Sequence, residues 1–183
     1  MRTFVASTID SERYAPFGAL ITAGAPARAR RANHGTAEAW DALAILESTR
    51  GAEARCMASL FRCHPWSGGA RLPVLRLERH PRSTQMFAPL EPARFLVIVA
   101  RGSPGHDAPD LSTLAAFVVE GPRAITYAPG VWHHPMVALE RSIDFVNVLF
   151  ADGSGEDCHE VPIAEGLLEV LVPGRSDLGP WAL

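Results

Sequence analysis

Glycine and proline interrupt this chain along its whole length. There are 15 of each among 183 residues, and both disfavour the interior of a long helix. Short strands joined by turns are therefore the expected secondary structure. Segments that are rich in β-branched, aromatic or long apolar residues and bounded by turn residues predict strands at 74–80, 85–90, 95–100, 115–119, 124–128, 132–139, 143–150 and 167–172.

Strands at this spacing are typical of a β-sandwich or β-barrel. In segment 36–46, Ala, Glu, Trp and Leu recur at near-helical spacing, although a turn followed by a strand fits almost as well. Turn signals at 102–105 and 153–155 predict loops, because the apolar pattern resumes on either side. The length suits one domain with a sizeable core, so we expect a single domain over 1–183.

Charge and composition exclude several classes of function. The net charge is −3 at pH 7, and no basic cluster predicts a nucleic-acid groove. All 17 basic residues are arginines, which excludes Schiff-base and lysine general-base chemistry.

The three cysteines are odd in number and lack a C-x-x-C spacing, which favours a reduced, cytoplasmic setting. No apolar run approaches the roughly 20 residues that a membrane helix needs. We therefore expect neither nucleic acid nor a membrane as a partner.

The densest polar segment of the sequence includes Glu78 and His80. Because side chains alternate between the two faces of a strand, Glu78 and His80 should share one face, and Arg79 should take the other. A carboxylate beside an imidazole is typical of a general base or a metal ligand. The plainer alternative is a salt-bridged strand on the surface.

A second polar segment begins at the turn Pro129-Gly130 and enters a strand with Trp132, His133 and His134. Adjacent residues of a strand point to opposite faces, so only one of the two histidines should meet the face of Glu78 and His80. We favour His133.

Together the two segments resemble the paired motifs of the cupin superfamily. The first cupin motif reads His-x-His followed by Glu, and this sequence has Glu78-x-His80 followed by Gln85. The second has a Pro-x-Gly turn with a histidine a few residues on, which 129–133 approximates. The resemblance implies a mainly β, cupin-like double-stranded β-helix barrel of the jelly-roll type, with few short helices.

Longer strings resemble the ureidoglycolate lyase family in both residue identity and order, from about residue 13 to about residue 163. They are Phe17-Gly18, Asn33-x-Gly35-Thr36-Ala37, Leu77-Glu78-Arg79-His80-Pro81, Gln85-x-Phe87-x-Pro89-Leu90, Phe95-Leu-Val-Ile-Val-Ala100, Pro109-Asp110-Leu111, Gly130-Val131-Trp132-His133-His134-Pro135 and Asp144-Phe145. Membership would imply a homodimer that splits ureidoglycolate into glyoxylate and urea in allantoin breakdown.

The resemblance also implies a set of site residues. The expected catalytic residues are Glu78, His80 and His133, and the expected substrate-binding residues are Asn33, Gln85, Trp132 and Asp144. Some family members are associated with nickel or a similar divalent ion, for which the candidate ligands are Glu78, His80, Gln85 and His133. No organic cofactor is expected, and whether an ion is bound stays open.

Two departures from the family pattern bear on the substrate. Ala39-Trp40 stands where bacterial members carry a basic residue followed by an aromatic one, so a cation for the substrate carboxylate is missing. An Asp-Arg pair that follows Asp144-Phe145 in those members is also absent. Arg79, Arg82 or a dimer partner remain as sources of the cation, and Arg79 should face away.

Ureidoglycolate carries a carboxylate, a hydroxyl and a urea nitrogen on one carbon. Its collapse needs a base for the hydroxyl proton and an acid for the departing urea. His80 or His133 can be the base, with Glu78 orienting the ring or acting as the base itself. Two alternatives are a ureido-acid amidohydrolase that releases ammonia and a non-catalytic cupin-like binding protein. Trp132 also suits a core position, and Asp144 also suits a turn.

Overall fold

Residues 1–24, 28–155 and 157–174 are described by the computed structural model. In chain order the first strands are β1 (Arg2–Val5), β2 (Ser7–Thr8), β3 (Leu20–Ile21), β4 (Arg30–Ala32), β5 (Ala37–Ala39), β6 (Arg55–Cys63), β7 (Arg71–Pro73), β8 (Arg76–Arg79) and β9 (Gln85–Pro89). They continue as β10 (Ala93–Gly102), β11 (Pro109–Gly121), β12 (Ala124–Tyr127), β13 (Trp132–His133), β14 (Val137–Ala138), β15 (Ile143–Ala151), β16 (His159–Pro162) and β17 (Leu168–Leu171).

Helical structure is sparse in the described ranges. It consists of α1 (Ser11–Tyr14) and a single 3-10 turn, Asn33–Gly35. Asp10 caps the N-terminus of α1, since its side chain accepts a hydrogen bond of 2.8 Å from the backbone N–H of Arg13. The prediction of a mainly β, cupin-like fold with few short helices is confirmed.

Three sheets form the body of the fold as packed layers. The middle sheet has the strand order β16-β8-β13-β10-β11-β2, with β14 also paired to β10. A three-stranded sheet, β1-β17-β7, contributes to one apolar core on one side of it, and a five-stranded sheet, β3-β12-β9-β15-β6, contributes to a second core on the other. Strands β4 and β5 form a separate hairpin.

The continuous apolar run 95–100 on β10 is explained by burial on both faces. Leu96 and Ile98 belong to the core shared with the three-stranded sheet, whereas Phe95, Val97 and Val99 belong to the core shared with the five-stranded sheet. Strands buried on both faces read as unbroken hydrophobic stretches instead of alternating ones. Strand β10 therefore fixes the position of the two neighbouring layers.

Two local expectations change in the structure. Segment 36–46 is not a helix, since it contains β5 after a turn, and the alternative of a turn followed by a strand is confirmed. The predicted strand 132–139 is divided into β13 and β14, with His134, Pro135 and Met136 between them. Proline lacks the N–H that a strand interior needs, which accounts for the interruption.

Strand β6 was not predicted from the sequence, although it spans nine residues at the edge of the five-stranded sheet. Every residue of β6 is exposed except the half-buried Cys63, and Met57, Leu60 and Phe61 are 50%, 61% and 46% exposed. An apolar edge strand of this length is a template for pairing with another chain.

Across the described ranges, no helix has the length and apolar character that a membrane span requires.

Candidate active site

Strand pairing sets Glu78 and His133 side by side. Strand β13 runs antiparallel to β8, and these two residues are directly opposite in the register. The Nε2 atom of His133 lies 3.4 Å from Oε1 of Glu78. Since Trp132 belongs to the core on the other face, the alternation along β13 turns His133 toward the five-stranded sheet.

His80 follows β8 directly and closes the cluster. Its ring is stacked against that of His133, with centroids 5.7 Å apart and an interplanar angle of 27°. The backbone N–H of Gly130 donates a hydrogen bond of 2.8 Å to the His80 carbonyl. Gly130 has a φ of +80°, in the left-handed region that favours glycine, so the turn before β13 helps to hold His80. Potential ligand atoms of Glu78, His80 and His133 all lie within 4.8 Å of one another.

Backbone carbonyls determine where the two rings carry their protons. Nδ1 of His80 lies 2.7 Å from the carbonyl oxygen of Asp157, and Nδ1 of His133 lies 3.1 Å from that of Val131. A carbonyl only accepts, so each Nδ1 carries a hydrogen, and the neutral form of such a ring has its lone pair on Nε2. Nε2 of His133 points toward Glu78 and has no other partner among the described residues.

Charges in the cluster are set by contact and burial. The contact with His133 is the largest influence on Glu78 and lowers the pKa of its carboxyl, although burial opposes this. Burial, followed by the nearby His133, lowers the pKa of His80 from its ordinary 6.5. At neutral pH the site therefore combines a carboxylate with a neutral imidazole at His80.

Two polar residues of the five-stranded sheet extend the cluster. Gln85 and Tyr127 are directly opposite on β9 and β12, and the Tyr127 ring is stacked on His133 at 3.9 Å and 7°. Burial, and then the charge of Glu78, raises the pKa of Tyr127, so its hydroxyl stays protonated as a donor. Oε1 of Gln85, Oη of Tyr127 and Nε2 of His133 are buried with no hydrogen-bond partner among the described residues.

The donor set fits a divalent ion. Two imidazole Nε2 lone pairs and one carboxylate suit nickel, manganese, iron or zinc. The second nitrogen of each ring is held by a main-chain carbonyl, as is usual for histidine ligands. The Gln85 amide oxygen is a further acceptor in need of a partner, but it is a weak donor to a metal.

The remaining predicted site residues lie apart from this cluster. Trp132 is fully buried on the opposite face, with the Arg79 guanidinium 4.9 Å from its ring centroid. Asp144 pairs with Arg62 at 2.7 Å beside the end of β9 that is remote from Gln85. Leu90, whose backbone N–H donates to the Asp144 carbonyl, lies five residues after Gln85, or about 17 Å along the strand. Asn33 is exposed at the turn between β4 and β5, with a φ of +50°.

Both candidate arginines have other partners. Arg79 pairs with Asp107 and covers Trp132 on the far side of β8, as strand alternation predicts. The backbone N–H of Arg82 donates to Asp157, and its guanidinium lies 3.9 Å from the same carboxylate. Neither observation supplies a cation for a substrate carboxylate at Glu78, His80 and His133.

Tyr127 and Asp157 join the site without having been predicted. Tyr127 lies two residues before the Pro129-Gly130 turn, but a tyrosine at the end of an apolar strand does not differ from a core residue in sequence. Asp157 lies in a loop some 75 residues from its partners Arg82 and Ser83. Only the fold brings such positions together.

These features define a class of protein. Layered β-sheets that enclose two histidines and a glutamate on adjacent strands form a cupin-like protein whose buried cluster suits acid–base chemistry or metal binding.

Comparison with known proteins identifies the family. The family model described as ureidoglycolate lyase matches residues 1–170. The ureidoglycolate lyase of Brucella anthropi is 37% identical over 158 residues, which cover 86% of each chain. That of Pseudomonas fluorescens is 35% identical over 94% of this chain and 99% of its own. A ureidoglycolate lyase of Escherichia coli is 37% identical over 73% of this chain and 79% of its own. The chain belongs to the ureidoglycolate lyase family.

Proposed function

We propose that this protein is a lyase that cleaves ureidoglycolate to glyoxylate and urea, a step of allantoin and purine nitrogen breakdown. Family membership supports the reaction class. The observation that carries the assignment of the site is the grouping of two imidazole nitrogens and one carboxylate oxygen within 4.8 Å.

The proposed chemistry is a proton transfer coupled to carbon–nitrogen cleavage. Removal of the hydroxyl proton lets its oxygen form the aldehyde of glyoxylate, while the carbon–nitrogen bond breaks and the departing urea nitrogen takes up a proton. No covalent nucleophile and no water molecule is consumed. A neutral imidazole can accept the hydroxyl proton, and another group of the site must deliver a proton to the urea nitrogen.

We assign the base to His80. Its Nε2 has a lone pair, and its lowered pKa keeps the ring neutral and able to accept a proton at neutral pH. Glu78 stabilises the imidazolium that forms. His133, in contact with Glu78, serves as the proton relay to the departing nitrogen, and the protonated Tyr127 hydroxyl donates a hydrogen bond to the substrate.

A divalent ion, nickel or similar, would be held by Glu78, His80 and His133, with Gln85 as a weak fourth ligand, and it would supply Lewis-acid activation of the substrate hydroxyl. Where no ion is present, Gln85 is free to hydrogen-bond the ureido group instead.

Product analysis tests the reaction and the need for an ion. Purified protein incubated with ureidoglycolate should release equal amounts of urea and glyoxylate above the buffer blank, without ammonia. The assay is repeated after chelator treatment and again after a divalent ion is restored. Ammonia in place of urea would indicate the amidohydrolase, and absence of either product would favour the non-catalytic binding protein.

The amidohydrolase alternative has less support. A site with two metal ions needs several more histidines and carboxylates than three. Among the described residues, Glu78, His80 and His133 are the one group of three or more potential ligands found close together.

We further propose that the protein is a homodimer in which β6 is covered by a second copy. This nine-residue edge is exposed and apolar at Met57, Leu60 and Phe61. Asn33 and Asp144 lie away from the cluster of their own chain. If either residue binds substrate, it does so in the site of the second copy, and the cation for the substrate carboxylate would also come from the second copy. A single domain over 1–183 and a cytoplasmic location, which the three free cysteines support, remain predictions.

Replacing Leu60 with arginine should convert the dimer to a monomer, because it places a charge in the apolar edge. Leu90→Arg is the matched control, since Leu90 is 60% exposed but lies outside β6, whereas Leu60 is 61% exposed within it. Size-exclusion chromatography with light scattering measures both masses. A monomeric parent protein, or a Leu60→Arg variant that remains dimeric, would exclude this interface.

A further inference from the structure

A buried carboxylate lies behind the His80 ring. Asp157 is 3% exposed, and its backbone carbonyl accepts the 2.7 Å hydrogen bond from Nδ1 of His80. Its side chain binds the start of the loop that follows His80. Oδ1 accepts a hydrogen bond of 2.9 Å from the backbone N–H of Arg82, and Oδ2 accepts one from the hydroxyl of Ser83. Asp157 therefore contacts His80 and also Arg82 and Ser83, which follow His80 in the chain.

Asp157 is itself anchored by a buried arginine. The side chain of Arg50 is only 2% exposed, and its Nη1 lies 3.4 Å from Oδ2 of Asp157. Its Nη2 pairs with Asp152 and lies 3.4 Å from the hydroxyl of Ser154. Arg50 thus contacts Asp152, Ser154 and Asp157 at the same time. Buried charges of this kind are costly unless they are paired, so the arrangement favours a single conformation.

We propose that Asp157 is a positioning residue for the reaction and that Arg50 holds it in place. The carboxylate fixes the loop so that the Asp157 carbonyl meets Nδ1 of His80, and this contact keeps the Nε2 lone pair of that ring aimed at the substrate. The proposal rests on the function proposed above, but its structural half can be measured without substrate.

The physical reason lies in how the two parts of Asp157 are coupled. The carbonyl survives any substitution of the side chain, but its position depends on the four contacts that the carboxylate makes with the backbone of Arg82, the hydroxyl of Ser83 and the two guanidinium groups. If the carbonyl moves, the neutral ring is free to place its proton on Nε2, which removes the lone pair. Partners that fix a ring in this way typically contribute 10- to 100-fold to affinity or activity.

Two substitutions of different severity test the idea. Asp157→Ala removes every carboxylate contact. Asp157→Asn keeps an acceptor for the Arg82 N–H and a possible bond to Ser83, so it should rescue part of the effect. Glu120→Gln is the matched control, since it removes a buried carboxylate that pairs with Arg94 at 2.7 Å. Arg94 lies five residues along β10 from Val99, the partner of His133, or about 17 Å from the site.

The direct readout is the ¹⁵N spectrum of the His80 ring in chelator-treated protein at pH 8. The parent protein should show a protonated Nδ1 and an unprotonated Nε2, and Asp157→Ala should shift both signals toward a mixture of the two tautomers. In the ureidoglycolate assay kcat should fall roughly 10- to 100-fold in Asp157→Ala, less in Asp157→Asn, with a smaller change in KM. Glu120→Gln should lose thermal stability but keep the parent kcat and His80 spectrum.

The outcomes separate this proposal from the proposed function. Unchanged His80 signals in Asp157→Ala would overturn it, and so would an equal loss of kcat in Glu120→Gln, because the effect would then be general loosening. If Asp157→Ala does not fold, the same comparison is made on Asp157→Asn, whose signals must still move. A tautomer shift in a protein that does not release urea would support the positioning role and refute the reaction.

Discussion

Replacing His80 with asparagine should lower kcat for ureidoglycolate by roughly 10²- to 10⁴-fold, the usual contribution of a general base. Asparagine retains a donor near the position of Nδ1, which can still meet the Asp157 carbonyl, but it lacks Nε2. His133→Asn should have a similar effect, because its Val131 contact is also made through Nδ1. Steady-state kinetics with urea detection measure both variants.

His159→Asn is the matched control for these variants. Its side chain is 41% exposed and contacts Asp107, and it stands opposite Arg79 in the strand register, on the other face of the sheet from Glu78. It should keep the parent rate. Glu78→Gln, which removes the charge but not the shape of the side chain, should also lose orders of magnitude. Near-normal rates in both His80→Asn and Glu78→Gln, with circular dichroism unchanged, would place the active site elsewhere.

Replacing Leu96 with alanine should reduce the free energy of unfolding by about 3 kcal/mol, as expected when a buried leucine is truncated in a core that relaxes incompletely. Leu96 is 1% exposed on β10, the strand that both cores share. For a chain of this size, that loss corresponds to a melting temperature lower by roughly 6–12 °C. Differential scanning calorimetry measures the change.

Leu90→Ala provides the comparison, because the same atoms are removed from a side chain that is 60% exposed. It should change stability by no more than about 0.5 kcal/mol. If the two variants melt at the same temperature, β10 does not have the central packing role described above.

Much of the fold was predictable because burial leaves a pattern in sequence. Strands such as β10 and β15 are rich in apolar residues and bounded by turn residues, so both were predicted. Strand β6 was not, because Arg55–Cys63 contains no β-branched residue and its apolar residues are interrupted by Ser59 and Arg62. Segment 36–46 misled in the opposite way, since near-helical spacing there accompanies only the short β5.

The candidate site was predictable only in part, for a geometric reason. Strand alternation was enough to expect Glu78, His80 and His133 on one face. Alternation does not tell which end of a neighbouring strand lies near the face of Glu78 and His80. Asp144, on β15, lies beside Leu90, just beyond the end of β9 that is remote from Gln85. Tyr127 and Asp157 depend on long-range pairing that a local pattern does not encode.

Both imidazoles take their proton placement from main-chain carbonyls, of Asp157 and Val131. Substitution of Gln85 or Tyr127 leaves both acceptors in place, because neither carbonyl belongs to the five-stranded sheet. A library that randomises Gln85 and Tyr127 can thus explore other ureido or hydroxy acids without redesigning the catalytic base. We therefore expect changes of substrate preference in this fold to arise from substitutions in the five-stranded sheet, while the residues of the sheet that bears the histidines stay the same.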